Sequence, residues 1–317
     1  MNKPFPLRLA ILFTAVWAGL AAVFAVIDLP LAIAVYNPAS EWGLFLQTYG
    51  EHPTVFLVWL AAQVPLSLSR FLTPPLRLAS RLLLYTVSLA AGYALVLMTV
   101  QRAMHAHLSI IGVILVLLAV LTLTLLVQAA LTRVQPDRLK QLHRAAWLTL
   151  LLFGAELALV HLLKLGWGRI RFRDLLPDHS NFTSWYVPMG PTGGRSFPSA
   201  HSSNSWALLT LPAMVAALHA SLSFRWAAWI FAIGWASLTS LSRVVIGAHF
   251  ASDVLFGACI TITLLVLLQR CLPLHRDLTP TSKQRSSDGP QSAHTAVYAT
   301  RLETTGGNPS APLAFRP

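Results

Sequence analysis

The stretch Ser242-Arg243-Val244-Val245-Ile246-Gly247-Ala248-His249-Phe250-Ala251-Ser252-Asp253 gathers the residue types that handle phosphate, and it lies between two apolar runs. A helix starting near Gly247 would place His249 and Asp253 one turn apart on one face, where a carboxylate can orient an imidazole. Arg243, at the end of the preceding run, offers an anion a planar fork of donors. A nucleophilic imidazole, an acid to orient it and a guanidinium together indicate phosphate chemistry. Two ligands one helical turn apart also suit zinc, but a zinc site does not call for a lysine and several arginines nearby.

Such a set needs elements to position it, and the composition says what they are. Of 317 residues, 55% are hydrophobic and 11% charged, with the apolar residues in long runs. This predicts an all-α, polytopic helical membrane protein. The runs fall at 9–27, 54–68, 82–100, 108–130, 146–163, 205–220, 226–241 and 250–268, which predicts eight transmembrane helices. The first run follows Lys3 and Arg8 but exceeds the roughly 7 to 15 residues of a signal h-region, so it reads as a retained anchor. A formal charge of +12 would suggest nucleic acid in a soluble domain. Here the cations sit between apolar runs, as juxtamembrane residues do, so no nucleic-acid partner is expected. Two cysteines, Cys259 and Cys271, define no disulfide framework.

Positive residues cluster before the first run, between the second and third, between the fourth and fifth, before the seventh and after the eighth. The positive-inside rule then places both termini in the cytoplasm. The outward segment 164–201 breaks the rule, carrying Lys164, Arg169, Arg171, Arg173 and Arg195 against Asp174 and Asp178. Cations held on the disfavoured side point to an anion. The segment is also rich in Pro and Gly, so irregular backbone is expected over the membrane surface. Trp167, Trp185 and Tyr186 read as interface residues. Three polar clusters therefore share one membrane face: 164–171, 198–201 and 242–253.

These clusters resemble the three-part signature of the type-2 phosphatidic acid phosphatase superfamily. That signature is Lys, six residues, Arg-Pro; then Pro-Ser-Gly-His; then Ser-Arg, five residues, His, three residues, Asp. The chain has Lys164 and Arg171, then Pro198-Ser199-Ala200-His201, then Ser242-Arg243, His249 and Asp253. Phe172 replaces the family's proline, and Ala200 its glycine. Loss of the proline would loosen Arg171 or let Arg169 share its task, and a positive φ at Ala200 would be costly.

The resemblance implies catalysis through a phosphohistidine, with no cofactor and no metal. His249 would be the nucleophile, Asp253 its orienting carboxylate, and His201 the general acid and base. Lys164, Arg171, Ser199, Ala200 and Arg243 would bind phosphate, and Arg169 and Arg195 are candidate substrate contacts. The implied partners are the lipid bilayer and a phosphorylated membrane lipid. Family substrates include phosphatidic acid, phosphatidylglycerophosphate, polyprenyl pyrophosphate and the phosphates of lipid A, and the long cationic loop favours the last two. Phosphotransfer through the same intermediate, and an inactive lipid-binding or transport relative, are the alternatives. The expected organisation is an N-terminal membrane region of about four spans over 1–145, a phosphatase-like helical core over 146–273, and a disordered cytoplasmic tail over 274–317. The absence of a cleavable signal and the compact loops suggest a bacterial cytoplasmic membrane, with the site on its periplasmic side.

Overall fold

Ten α-helices and three short 3-10 turns make up most of the described chain, residues 7–103 and 107–271 of this computed structural model. The tail expected over 274–317 lies outside the described residues. In chain order the helices are α1 (Leu7–Val35), α2 (Glu41–Tyr49), α3 (His52–Leu68), α4 (Pro74–Ala103), α5 (Ile110–Leu131), α6 (Pro136–Trp167), α7 (Ala200–Trp206), α8 (Leu211–Ala217), α9 (Leu222–Val245) and α10 (Ala251–Cys271). Local chemistry sets several boundaries. The Ser40 and Ser109 hydroxyls cap α2 and α5 by accepting from Gly43 N and Gly112 N. Proline opens α3 and α6, where its missing N–H has no helical partner to lose. Gly168 ends α6 in the left-handed conformation.

Seven segments of the described chain are long and apolar enough to cross a bilayer. Leucines, isoleucines and valines cover the outer faces of α1 and α5, among them Leu12, Val16, Val26, Ile110, Ile111 and Leu126. In water such a surface would aggregate, whereas against lipid chains it is matched. The protein is an all-α polytopic membrane protein.

Two of the expected spans need correction. The run at 205–220 is not one membrane-length apolar helix: α7, a 3-10 turn over Ala207–Thr210 and α8 replace it. α7 carries the polar, buried stretch Ser202-Ser203-Asn204-Ser205 into the start of that run, and a segment enclosed by protein needs no apolar coat. It packs along α9 and returns the chain from the end of α6 to the start of α9. The first run also extends past its expected end at Ile27. α1 continues through Asp28 and Pro30 to Val35, because Asp28, only 2% exposed, finds partners inside the protein.

α3 is the hub. It packs against α4 and α6, while α1 lies against α10 and α2 against α9. The main core joins Leu57, Ala61 and Val64 of α3 to Ala145, Ala146, Leu148 and Leu152 of α6, Ala232 of α9 and Leu265 of α10. Buried alanines at these crossings let helix backbones approach closely, which is how helices associate where lipid is as apolar as the side chains. Polar groups bind the outer helices to this hub. Gln63 Nε2 donates to Ser88 Oγ on α4 at 3.1 Å, and Gln128 Nε2 on α5 donates to Gln63 Oε1 at 3.0 Å.

Candidate active site

The end of α6, the start of α7 and the turn between α9 and α10 meet at one end of the bundle. Gly247, at φ +67°, terminates α9, and a Cβ there would lie 2.6 Å from the Tyr36 ring. The expected helix start near Gly247 is therefore displaced to Ala251, and His249 sits in the intervening turn. Its N–H donates to Arg243 O at 3.1 Å. His249 and Asp253 still meet, through the turn instead of helical register: His249 Nδ1 lies 3.6 Å from Asp253 Oδ2. Nε2 is left as the nitrogen able to attack.

Asp253 is held from all sides. Oδ1 accepts from Arg169 Nη1 at 2.7 Å, and Oδ2 accepts from Ser196 Oγ at 2.5 Å and from Phe250 N at 2.9 Å. The last bond caps α10 with an acid in its first turn, where the helix dipole favours negative charge. A carboxylate so occupied has little freedom to join a metal's ligand sphere. Asp253 O also accepts from Ser199 N at 2.9 Å, tying α10 to the start of α7. Gly257 permits that approach, since a Cβ there would lie 2.5 Å from Ser199 O.

The candidate contact role of Arg169 is not what the structure shows. Its side chain is fully buried. Nη1 donates to Ser252 Oγ at 2.8 Å as well as to Asp253, Nη2 to Asp28 Oδ2 at 3.0 Å, and Nε to Thr183 O at 2.8 Å. The guanidinium also lies 4.1 Å from the Phe250 ring centroid and 5.5 Å from that of Phe182. With four hydrogen bonds inside this buried layer, Arg169 is committed to Thr183, Ser252, Asp253 and Asp28. Asp28 completes the layer by accepting from Ser252 N at 2.9 Å and from Ser252 Oγ.

The remaining cations border the site. Lys164 Nζ donates to Arg195 O at 2.7 Å, Arg243 Nη1 donates to Gln47 Oε1 at 3.3 Å, and the Arg195 side chain is exposed. Arg171 is partly exposed and precedes the 3-10 turn Phe172–Asp174 in extended backbone, φ −75° and ψ 153°. Packing holds Phe172 where proline would have stiffened the chain. Its ring meets Tyr36 at 5.0 Å, His179 at 5.6 Å and Phe250 at 6.0 Å, and Arg173 N donates to Gly247 O at 3.0 Å. Ala200 opens α7 with ordinary helical backbone and is absent from the positive-φ residues, so the glycine is not needed there. Ser199 is fully buried, and its Oγ caps α7 by accepting from Ser202 N at 3.3 Å.

Between α6 and α7 the chain is irregular apart from one 3-10 turn, as expected, but Trp167 and Trp185 do more than line an interface. Trp167 Nε1 donates to Trp185 O, and Trp185 Nε1 donates to Ala21 O on α1 at 3.1 Å, while the Trp185 ring packs on Phe256 of α10. Glu156, deeper on α6, accepts from Ser203 Oγ and so links α6 to α7.

Sequence reasoning missed Asp28, Gln47, Glu51, Ser196 and Ser252. Glu51, buried between α2 and α3, lies with Oε2 3.2 Å from His201 Nε2. A carboxylate inside an apolar span was the available signal for Asp28. Gln47 and Glu51 occupy a segment with no local motif to mark them.

Burial drives the His249 imidazole down to about 3, with Lys164 and Arg243 pushing the same way and Asp253 opposing them. The ring is therefore neutral at physiological pH, the form in which imidazole is a nucleophile. Because the folded value lies below that of an exposed histidine, the stability tied to the neutral ring is complete above about pH 6.5. It declines as pH falls through 6.5 toward 3. Relative to His249→Asn, the parent should lose on the order of 2 kcal/mol between pH 7 and pH 5, measured by thermal unfolding in detergent. Parallel stability curves for the two proteins over that range would contradict a neutral buried ring.

No curated protein and no solved structure matches the chain. Residues 145–277, which hold most of α6, all of α7 to α10, the three clusters and the loop between them, match the PAP2 superfamily. That segment is what the chain shares with the PAP2 superfamily, a family that suggests activity of the phosphatase or phosphotransferase type.

Proposed function

We propose that the protein is an integral membrane phosphatase, hydrolysing a lipid phosphate monoester or pyrophosphate at the outer membrane face through a phosphohistidine. The observation that carries this reading is the packing of three distant segments around His249: Lys164 on the Arg195 carbonyl, Ser199 on the Asp253 carbonyl, and His249 on the Arg243 carbonyl.

His249 Nε2 attacks phosphorus in line with the bond to the leaving oxygen. The P–N bond forms as that P–O bond breaks, and Asp253 steadies the imidazolium that develops. His201 gives the leaving oxygen its proton. Water then attacks the phosphohistidine, His201 takes a proton from it, and the P–N electrons return to His249. Lys164, Arg171 and Arg243, with the Ser199 hydroxyl and the Ala200 amide, balance charge on the phosphoryl oxygens in both transition states. The partly exposed Lys164, Arg171 and His201 mark the side of entry, and Arg195 and Arg173 would receive further charge of a pyrophosphate or a large anionic headgroup.

Sidedness rests on charge. Arg138, Lys140, Arg144, Arg225 and Arg270 all sit at helix ends away from the site, which supports a cytoplasmic far end and an outer active site. The bilayer-facing helices would let a lipid's chains lie beside the bundle while its phosphate reaches the bundle end.

The test is phosphate release by the purified protein in mixed micelles, over phosphatidic acid, phosphatidylglycerophosphate, polyprenyl pyrophosphate and lipid A, with EDTA present. Sustained release insensitive to EDTA is expected. Phosphorylated acceptor lipid in place of free phosphate would make the protein a transferase. Lipid binding with no turnover across the panel would sink the catalytic reading.

A further inference from the structure

Glu51 lies outside the matched segment, yet it reaches His201. It is 4% exposed and both carboxylate oxygens are engaged: Oε2 lies 3.2 Å from His201 Nε2, and Oε1 accepts from Asn204 Nδ2 at 2.6 Å. His201 and Asn204 are three apart on α7, so one carboxylate addresses one face of that helix. The backbone beside it is anchored too. Gly50 O accepts from Trp235 Nε1 of α9 at 2.8 Å and from Ser205 Oγ of α7 at 3.2 Å. Glu51 therefore cannot swing away without parting α3 from α7 and α9.

A carboxylate fixed against an imidazole in a low-dielectric setting favours the protonated ring. Other charged or titratable groups come from every side. On the elements packed about this pair, α6 carries Lys164 and Glu156, the latter taken up by Ser203; α9 carries Arg243, bonded to Gln47; the α9–α10 turn carries His249; and α3 carries His52, bonded to Thr99 Oγ1. A cation would oppose an imidazolium, and among the described residues Glu51 lies within ion-pair distance of His201.

We propose that Glu51 is a positioning residue for the general acid: it holds His201 by Nε2–H, keeps the ring protonated before the first step, and leaves Nδ1 to carry the proton that moves. In that step the P–N bond to His249 forms, the bond from phosphorus to the leaving oxygen breaks, and the Nδ1 proton passes to that oxygen. In the second, Nδ1 recovers a proton from the attacking water as the P–N bond breaks. This rests on the phosphohistidine reading above and adds to it a residue from the N-terminal half of the chain.

The experiment compares the full-length parent, Glu51→Gln, Glu51→Asp and His249→Ala in mixed micelles, on dodecyl phosphate and 4-nitrophenyl phosphate from pH 5 to 9. An alkoxide needs a proton to leave and 4-nitrophenolate does not. Glu51→Gln should therefore lose roughly 100-fold on dodecyl phosphate at pH 8 while its 4-nitrophenolate burst changes less than about fivefold. The alkaline limb for dodecyl phosphate should move down by about one pH unit or more, and Glu51→Asp should recover part of the loss. Equal losses on both substrates with an unmoved limb would reduce Glu51 to a structural role, and no loss would dismiss it. A parent no faster than His249→Ala on either substrate would instead overturn the phosphohistidine reading. NMR titration of the His201 ring in the parent is independent of turnover and of any variant's folding. Protonation persisting above the ordinary histidine range supports the proposal, and a midpoint below that range overturns it.

Discussion

His249→Ala is expected to reduce phosphate release from the preferred lipid phosphate by on the order of 10,000-fold or more. The size of the effect follows from the proposed role, in which the ring supplies the bond that replaces the leaving group and no neighbour stands in. Asp253 stays in place in the variant, because Arg169, Ser196 and the Phe250 amide hold it without help from the imidazole. The loss should therefore appear in turnover with the fold retained, which unfolding in the same micelles would check. Brief mixing with labelled substrate and acid-free denaturation should trap an acid-labile phosphoprotein in the parent and none in the variant. Trapped label that survives in His249→Ala would place the intermediate elsewhere and end the assignment.

Arg169→Met should produce the largest loss of stability, about 3–5 kcal/mol. The guanidinium separates two buried carboxylates, Asp28 at 3.0 Å and Asp253 at 2.7 Å, all three side chains being 2% exposed or less. Its removal leaves both acids in low dielectric with no cation between them. Asp28→Asn is the milder change, about 1–2 kcal/mol, since Arg169 keeps Asp253 and the amide oxygen can still accept from Ser252 N. Thermal unfolding in detergent would rank the two variants. An Arg169→Met protein within about 0.5 kcal/mol of the parent would show that the ion-pair layer does not hold the site, and its activity should then also survive.

Much of the site was legible in the sequence. Lys164, Arg171, Ser199, His201, Arg243, His249 and Asp253 form short fixed spacings, and their grouping on one membrane face followed from counting apolar runs. That grouping holds because helix ends must surface together when their lengths match the bilayer. The substitutions at Phe172 and Ala200 raised the question of backbone stiffness, with activity expected to survive, because a motif records backbone requirements without their surroundings. In the structure an aromatic cluster immobilises Phe172, and Ala200 never enters the region where glycine is needed. Arg169 was misread for a related reason: spacing puts a cation near a site without saying whether its donors are already taken.

By itself, then, the sequence determined the solvent and pointed to a class of chemistry. Long apolar runs admit only membrane helices, because an unsatisfied backbone is too costly in hydrocarbon. Lysine, arginine, histidine and aspartate at those spacings narrow the reactive group to phosphate. Tertiary structure alone decided the arrangement behind the reactive residues. Asp28 precedes its partner Arg169 by 141 positions, and Glu51 precedes Asn204 by 153. No local periodicity can announce contacts at such separations, since they arise only when α1 packs on α10 and the start of α3 packs on α7. The broken course of α7 and α8 was decided the same way: once enclosed by α3, α6, α9 and α10, that segment could keep its polar residues and forgo a continuous apolar helix.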